Sequence, residues 1–209
     1  MSILIQLSGV GKKYNNEWIF KNISCEFHSG QRIAILGANG SGKSTLLQLL
    51  SGFVSPTEGS YSFHENQVKS TEEDLYKRMA LSSPYMELIE DFTLEELIAH
   101  HSLFKPFVRE FNIRNFISDS GLRSTEGKLI KYFSSGMKQR VKLAMALYAD
   151  VPLVLLDEPA SNLDRKGIDW YRSLVMSQKE NKIIVVASNR LTDEFDFCET
   201  ILNIEEYKK

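Results

Sequence analysis

Apolar residues along this chain are gathered into short continuous runs that are separated by polar stretches. A strand that is apolar at every position is typical of a parallel sheet with helices on both faces. Near the N-terminus, Ile3, Ile5 and Leu7 alternate with other residues, which predicts one more strand. The continuous runs, each predicted to be a buried strand, are residues 33–36, 153–156, 183–187 and 201–204.

Between the first two of these runs, from Thr71 to about Ala149, the pattern is mostly helical. Thr93 and Glu96 form a capping box that predicts the start of one helix, and apolar spacing predicts another over residues 135–149. Four phenylalanines at loosely helical spacing are interpreted as helix core rather than as a cofactor site: Phe104, Phe107, Phe111 and Phe116.

The first buried run leads into a complete GxxxxGK[ST] motif at residues 37–45, and a helical run follows it. This strand–loop–helix context is the one expected of a phosphate-binding loop. Glycines let backbone N–H groups turn towards phosphate oxygens, and the start of the next helix adds a positive field. Lys43 would bind the β- and γ-phosphates, and the Ser44 hydroxyl would bind Mg²⁺. The predicted nucleotide-binding residues are Gly37, Asn39, Gly40, Ser41, Gly42, Lys43, Ser44 and Thr45.

Two carboxylates follow the buried run 153–156. Asp157 stands where a phosphate-loop ATPase holds Mg²⁺, usually through water. Glu158 would point at the γ-phosphate and polarise the attacking water. An Asp-Glu pair after a strand is also a common solvated turn, but the GxxxxGK[ST] motif upstream favours the functional interpretation. The sequence therefore predicts ATP and Mg²⁺ as ligands.

Composition narrows the class of protein. The chain has 209 residues, 43% hydrophobic and 25% charged, which is ordinary for a soluble globular domain. A formal charge of -2 argues against a dedicated nucleic-acid binder. Cys25 and Cys198 lie far apart without metal-ligand spacing, so we interpret them as reduced core thiols of a cytosolic protein. No apolar run is long enough to span a bilayer, and the N-terminus lacks the features of a signal peptide.

Residues 132–140, Tyr-Phe-Ser-Ser-Gly-Met-Lys-Gln-Arg, resemble the LSGGQ signature of ABC ATPases and the Lys-Gln-Arg that often follows it. Tyr14 resembles the aromatic residue that stacks on adenine in this family, and residues 161–164 resemble its SALD-like pattern. The resemblance covers essentially the whole chain. It implies an ATP-binding and ATP-hydrolysing subunit of an ABC transporter, of the compact exporter type.

The family resemblance also implies partners. Two cassettes, identical or related, close head to tail, so that each ATP lies between one phosphate loop and the partner's signature. Ser134, Ser135 and Gly136 begin a helix whose positive end would grip the γ-phosphate of the partner's ATP. The resemblance further implies separate transmembrane subunits, a cytoplasmic location on the inner face of the membrane, and no nucleic acid.

The same comparison implies a fold and its limits. We expect an α/β protein with a P-loop NTPase core, a mainly parallel sheet, an N-terminal antiparallel β part and a helical insertion. It would form one domain, 1–209, with the nucleotide-binding core at about 1–84 and 150–209. The helical signature subdomain would be about 85–149.

The chain departs from its family pattern at four places. Ser135 and Met137 replace the glycine and glutamine usual in the signature. Asn189 stands at the position of the switch histidine, and residues 81–85 contain no glutamine where the Mg²⁺-sensing glutamine is expected. Ser83 offers a weaker metal ligand there. Since Lys43, Ser44, Asp157 and Glu158 are present, we still expect hydrolysis, with Asn189 at the catalytic site.

Two other interpretations stay open. The first is a soluble ABC ATPase that acts on ribosomes or DNA, although such proteins usually carry two cassettes or a long coiled-coil insertion. The second is a regulatory cassette with little turnover. The missing histidine and glutamine favour it, and the intact Glu158 argues against it.

Overall fold

The computed structural model describes residues 2–122, 125 and 127–208. The fold is α/β, with one antiparallel and one parallel sheet. Its helices are α1 (Lys43–Leu50), α2 (Glu72–Leu75), α3 (Leu94–Ser102), α4 (Ile113–Asp119), α5 (Ser135–Tyr148) and α6 (Arg165–Met176). Within the described ranges, no helix is long and apolar enough to cross a lipid bilayer.

The parallel sheet contains all four strands predicted from the continuous apolar runs, in the order β6-β7-β8-β3-β9. Its central strands β7 and β8 are buried at every position, because helices cover both faces. The edge strand β6 was not predicted, because four residues of mixed polarity carry no clear period. The strands are β3 (Arg32–Leu36), β6 (Met79–Ser82), β7 (Leu153–Asp157), β8 (Ile183–Ser188) and β9 (Thr200–Asn203).

The antiparallel sheet has the order β2-β1-β4-β5 and confirms the predicted N-terminal antiparallel part. Ile3, Ile5 and Leu7 point into the core, as their alternation predicts. Phe20 of β2 and Leu46 of α1 belong to the same buried cluster, so this sheet packs on the helix after the glycine motif. The strands are β1 (Ile3–Tyr14), β2 (Glu17–His28), β4 (Glu58–Glu65) and β5 (Val68–Lys69).

The helical segment has its own apolar cluster, to which α3, α4 and α5 contribute. The capping box of Thr93 and Glu96 is present at the start of α3, and α5 ends at Tyr148, one residue before its predicted end. The assignment of the four phenylalanines to helix core is wrong for three of them. Phe104, Phe107 and Phe111 lie in the irregular chain between α3 and α4, and Phe104 is 69% exposed.

The reason for this difference is that α3 ends at Ser102, four residues before Pro106. Proline disfavours the helical conformation at the residue before it, so the chain leaves the helix early. Phe107 and Phe111 still stack at 4.4 Å between ring centroids and pack on the helical cluster. The proposed limits of the helical subdomain, about 85–149, and of the domain, 1–209, remain a prediction; Met1 and Lys209 lie outside the described residues.

Cys25 and Cys198 are both free and half-buried. Burial raises the pKa of the Cys25 thiol to about 11 and that of Cys198 to about 12. Each thiol packs against a different apolar cluster. Both side chains therefore behave as packing residues, in agreement with the sequence interpretation.

Candidate functional site

All five parallel strands end at the same edge of their sheet, and each is followed there by polar residues. In open α/β sheets this carboxyl edge is where ligands bind. The residues at the edge are Ser83 after β6, Asp157 and Glu158 at the end of β7, Asn189 after β8, the glycine-rich loop (residues 37–42) after β3, and Glu205 after β9.

The glycine-rich loop wraps around the side chain of Lys43. This lysine is only 5% exposed, and its Nζ donates hydrogen bonds to Gly37 O at 2.9 Å and Ala38 O at 3.1 Å. Gly42, with φ of 105°, caps α1 in a left-handed conformation that favours glycine. The loop therefore presents a buried ammonium group and the free N–H groups of a helix start at one place.

Several loop residues have the surroundings expected of such a site. Ser41 is buried, and its Oγ has no hydrogen-bond partner among the described residues. Asn39, Gly40 and Ser44 are exposed on the loop, and Thr45 is half-buried. The buried Ser41 hydroxyl is therefore a polar group that the described residues leave unpaired.

Asp157 ends β7, which β8 separates from β3 in the sheet. It interacts with Lys43 and Ser44 and is only 4% exposed. Burial raises the pKa of its carboxyl group, whereas a hydrogen bond from Ser44 opposes the rise. The Ser83 hydroxyl lies 3.5 Å from Asp157 Oδ2, and Oδ1 has no partner in the described part of the chain. A buried carboxylate oxygen without a partner, beside two hydroxyl groups, is an oxygen donor set that fits Mg²⁺.

Glu158 has a strained backbone. Its φ is 43°, which is uncommon for a residue other than glycine, and its N–H donates to Ala187 O of β8 at 2.9 Å. Such strain persists only where the surrounding structure enforces it, and it is concentrated at functional sites. The side chain is half-buried at the sheet edge, next to Asp157.

The loop after Glu158, residues 159–164, is held by side chains of α5. Gln139 Nε2 donates to Pro159 O at 3.1 Å, and Arg140 pairs with Asp164 at 2.5 Å. Gly136 passes so close that a Cβ at its position would lie 2.7 Å from Asn162 O. A larger residue than glycine at position 136 would therefore displace this loop.

The signature segment, Ser134–Met137, begins α5. Ser134 is the N-cap and accepts a hydrogen bond from Met137 N at 3.2 Å. Ser134 and Ser135 are exposed and Gly136 is half-buried, and all three line a pocket of about 390 Å³ with Asn162 and Asp164. Lys43 does not line this pocket. Within the described chain, the signature segment and the glycine-rich loop therefore form two separate surfaces.

The remaining predicted residues, Tyr14 and Asn189, lie at the ends of two strands. Tyr14 ends β1 and is 44% exposed, with Lys12 Nζ 5.1 Å from the centre of its ring. Asn189 is exposed directly after β8. Arg190, the next residue, has φ of 76° and pairs with Glu205 at 2.6 Å, and Glu205 accepts a hydrogen bond from Ala38 N at 3.0 Å.

Sequence reasoning missed three residues that contact these loops. Glu194 is a buried carboxylate between the loop 159–164 and the end of β8, Lys142 donates to the carbonyl groups of Ser83 and Pro84, and Glu205 contacts the glycine-rich loop. Glu194 and Glu205 belong to polar stretches that look like solvated surface in the sequence, and Lys142 looks like a solvated position on the predicted helix 135–149. Only the pairing of distant strands brings them to the site.

Comparison with known proteins gives a consistent picture. The family model described as ABC transporter matches residues 20–161. The chain is 29% identical over 203 residues to the ABC transporter ATP-binding protein YcbN of Bacillus subtilis strain 168, covering 96% of this chain and 66% of YcbN. It is also 29% identical over 202 residues to YybJ of the same strain, covering 96% of this chain and 92% of YybJ.

Among solved structures, the chain is similar to a dimeric structure of the ATP-binding cassette MJ0796 in a post-hydrolysis state with ADP and Pi. The TM-score is 0.76 at 24% identity, and the match covers 96% of this chain and 95% of the cassette. At this identity the likeness shows a common fold. The two-sheet architecture described above is therefore the fold of such cassettes.

Proposed function

The chain belongs to the ABC transporter family and is similar throughout to its ATP-binding subunits, and we propose that it hydrolyses ATP to power transport through separate membrane-spanning subunits. One observation carries the proposal. Asp157, with a buried unpaired oxygen, faces Lys43 and Ser44 across the carboxyl edge of the sheet, and Glu158 follows it. This is the set of groups that phosphoryl transfer to water requires.

The glycine-rich loop would bind the phosphate groups of ATP. Lys43 now donates to Gly37 O and Ala38 O, and it is already placed inside the loop that would surround the β-phosphate. Asn39, Gly40 and Ser44 would contribute further donors from the exposed side of the loop. Tyr14 would stack on adenine, because its side chain is exposed at the end of β1.

Ser44 and Asp157 would hold Mg²⁺, with Ser83 as an additional hydroxyl group in place of the usual glutamine. When bound, Mg²⁺ would neutralise charge on the β- and γ-phosphate oxygens. Glu158 would accept a proton from the attacking water as its oxygen bonds to the γ-phosphorus and ADP leaves. Asn189 would donate a hydrogen bond to the γ-phosphate from the end of β8.

A second cassette would complete the site. The signature segment of this chain lies in a pocket apart from Lys43, so it would serve the ATP of its partner in a head-to-tail dimer. The partner would be an identical or a related chain. Ser135 can still donate through its N–H and its hydroxyl group, whereas Met137 supplies no side-chain donor.

The membrane subunits would dock at the outer part of a mostly apolar groove of about 740 Å³, which runs from Ser44 and Asp157 of the proposed Mg²⁺ site to the helical segment. Large apolar side chains at its rim are exposed, among them Phe53 at 80% and Tyr85 at 85%. An exposed apolar patch of this kind marks an interaction site. Docking there would place the protein on the cytoplasmic face of the membrane, and no nucleic acid is expected.

Two measurements test the proposal. Purified protein should release phosphate from ATP only with Mg²⁺, and Asp157→Asn should raise the half-saturating Mg²⁺ concentration about tenfold or more. Release that is independent of Mg²⁺ would contradict the metal site. An absence of turnover at any Mg²⁺ concentration would favour the regulatory cassette.

For the partners, the tagged chain should co-purify with membrane-spanning proteins from solubilised membranes. Tyr85→Glu in the groove should reduce this recovery, and Val68→Glu, at a residue that is 70% exposed outside the groove, is the matched control. Recovery of ribosomes or DNA instead of membrane proteins would support the soluble alternative. Equal loss in both variants would argue against the groove as the docking site.

A further inference from the structure

Glu194 is a buried carboxylate that connects two loops of the site. It ends the 3-10 turn Thr192–Glu194 that follows β8, and the residue is only 3% exposed. Its Oε1 accepts a hydrogen bond from Ala160 N at 3.0 Å, and its Oε2 accepts one from Ser188 Oγ at 2.5 Å. Both carboxylate oxygens therefore have a donor, and the donors belong to different segments of the chain.

The two donors flank the residues to which hydrolysis is assigned. Ala160 comes two residues after Glu158 in the loop 159–164, and Ser188 directly precedes Asn189 at the end of β8. The Ser188 hydroxyl also accepts a hydrogen bond from Leu191 N at 3.1 Å. Glu194 thus bridges the chain after β7 and the chain after β8 beneath the exposed edge of the sheet.

The main chain of Glu194 is itself fixed. Its carbonyl oxygen accepts a hydrogen bond from the buried Tyr171 hydroxyl at 2.9 Å, and its N–H donates to Leu191 O at 2.9 Å. Burial raises the pKa of the Glu194 carboxyl, and the bonds from Ser188 and Ala160 oppose the rise. Burying a carboxylate is unfavourable unless it is hydrogen-bonded. Loss of either of these two hydrogen bonds would therefore destabilise the folded state.

We propose that Glu194 is a positioning residue: it holds the loop 159–164, and through it Glu158, against the end of β8. This role rests on the proposed hydrolysis, because it concerns the geometry of Glu158. By family resemblance a histidine at position 189 would connect the γ-phosphate to this loop, but Asn189 is exposed and shorter. In this chain the loop is secured from its buried side by a carboxylate.

The test compares Glu194→Ala with Glu194→Gln. The amide side chain of glutamine still accepts from Ala160 N–H and keeps the volume, whereas alanine removes both links. We expect Glu194→Ala to lower kcat for phosphate release about tenfold or more with KM within about twofold, and Glu194→Gln to recover most of the rate. The proposal would be overturned if Glu194→Ala raised KM as strongly as it lowered kcat. It would also be overturned if kcat of Glu194→Gln were as low as that of Glu194→Ala.

A control separates positioning from general stability. Tyr171→Phe removes the hydroxyl bond to the Glu194 carbonyl but leaves both carboxylate links, so it should change the melting temperature more than kcat. If Tyr171→Phe and Glu194→Ala reduce kcat equally, Glu194 acts only through the stability of the fold.

A second readout does not depend on hydrolysis. Amide hydrogen exchange of the peptide that contains residues 159–164 should speed up in Glu194→Ala and stay near wild type in Glu194→Gln, because the Ala160 amide loses its acceptor only in the first variant. Unchanged exchange in both would refute the proposal even if kcat fell. Faster exchange in Glu194→Ala, in a protein that hydrolyses no ATP, would keep the link and refute the hydrolytic function instead.

Discussion

The glycine-rich loop and the signature segment are fixed in the molecule by different kinds of contact. The loop follows β3, a strand bonded on both sides, and it is closed by main-chain bonds and by Lys43 to Gly37 O and Ala38 O. The signature segment begins a helix that is tied to the sheet edge through side chains, among them Gln139 to Pro159 O and Lys142 to Ser83 O.

This difference predicts what the glycine-rich loop and the signature segment can each do. Hydrogen bonds from Lys43 Nζ and Ser41 N close on the loop's own carbonyl groups and fix its shape, which suits the binding of a phosphate group. Besides its apolar packing, α5 is joined to the edge of the sheet by individual side-chain hydrogen bonds, so one such bond can be removed while the glycine-rich loop stays unchanged. We therefore expect variants of the glycine-rich loop to affect nucleotide binding or chemistry directly. Variants of the contacts that hold the signature segment should affect turnover alone.

The largest effect is expected for Glu158→Gln. An amide cannot accept the proton of the attacking water, so kcat for phosphate release should fall roughly 10²- to 10⁴-fold while ATP binding persists. Size-exclusion chromatography with ATP should then show a trapped dimer, in which the loop of one cassette meets the signature segment of the other. Turnover at the wild-type rate would place the base elsewhere.

Lys43→Ala tests the glycine-rich loop by removing the buried ammonium group that the loop surrounds. The loss of one charge-assisted hydrogen bond should weaken the binding of a labelled ATP analogue by about 1.5–3 kcal/mol, or about 10- to 150-fold. Lys131→Ala is the matched control, because that lysine pairs with the exposed Asp91 far along the chain from the loop. Affinity within about twofold of wild type would mean that the loop is purely structural.

Asn189→His tests the residue that directly follows β8 at the carboxyl edge of the sheet. If Asn189 occupies the switch position, an imidazole there should raise steady-state phosphate release about tenfold, which corresponds to about 1.4 kcal/mol of barrier. The gain should vanish when Glu158→Gln is added, since the histidine only positions what the glutamate activates. An unchanged rate would remove Asn189 from the site, and a lower rate would mean that the larger ring clashes.

The smallest effect is expected for Lys142→Met in α5, the helix that the signature segment begins. The ammonium group of Lys142 donates to Ser83 O at 3.1 Å and Pro84 O at 2.9 Å, and it thereby ties α5 to the loop beside Asp157. Methionine keeps the length but not the donors, so turnover should change about threefold, at the low end of the ~0.5–2 kcal/mol that such couplings carry.

ATP affinity of Lys142→Met should stay within about twofold of wild type, because the glycine-rich loop is untouched. Lys138→Met, which only breaks the pair with Glu90 on the same helical segment, should leave both quantities unchanged. A loss of ATP affinity in Lys142→Met would show that the glycine-rich loop and the signature segment are not held independently of each other.

The parts of the fold that could be predicted from the sequence depend on local patterns. The continuous apolar runs gave β3, β7, β8 and β9 because strands buried on both faces need apolar residues at every position. The capping box at Thr93 and the GxxxxGK[ST] motif were equally clear, since each places its residues at fixed short spacing.

The parts that could not be predicted depend on residues distant in the chain. Glu194 stands in the run Thr192-Asp193-Glu194, which looks like solvated surface, and it is buried only because β8 pairs with β7. Lys142 likewise gains its partners from Ser83 and Pro84, which are held at the sheet edge by β6. No short-range period reports such contacts, so the sequence predicted candidate motif residues but not the residues that hold the loops around them.

The place of β3 in its sheet has a consequence for biosynthesis. Arg32 pairs with Ile184 and Ile33 with Thr200, so both neighbours of the strand are made long after the strand itself. Ribosomes add about 5–20 residues per second, and until β8 and β9 are made the backbone N–H and C=O groups at both edges of β3 have no partner strand. We expect the nascent protein to depend on chaperone protection until β8 has emerged. Nucleotide binding would then distinguish chains that have formed β8 from chains that have not, and cellular ATP would act as a folding ligand for the former alone.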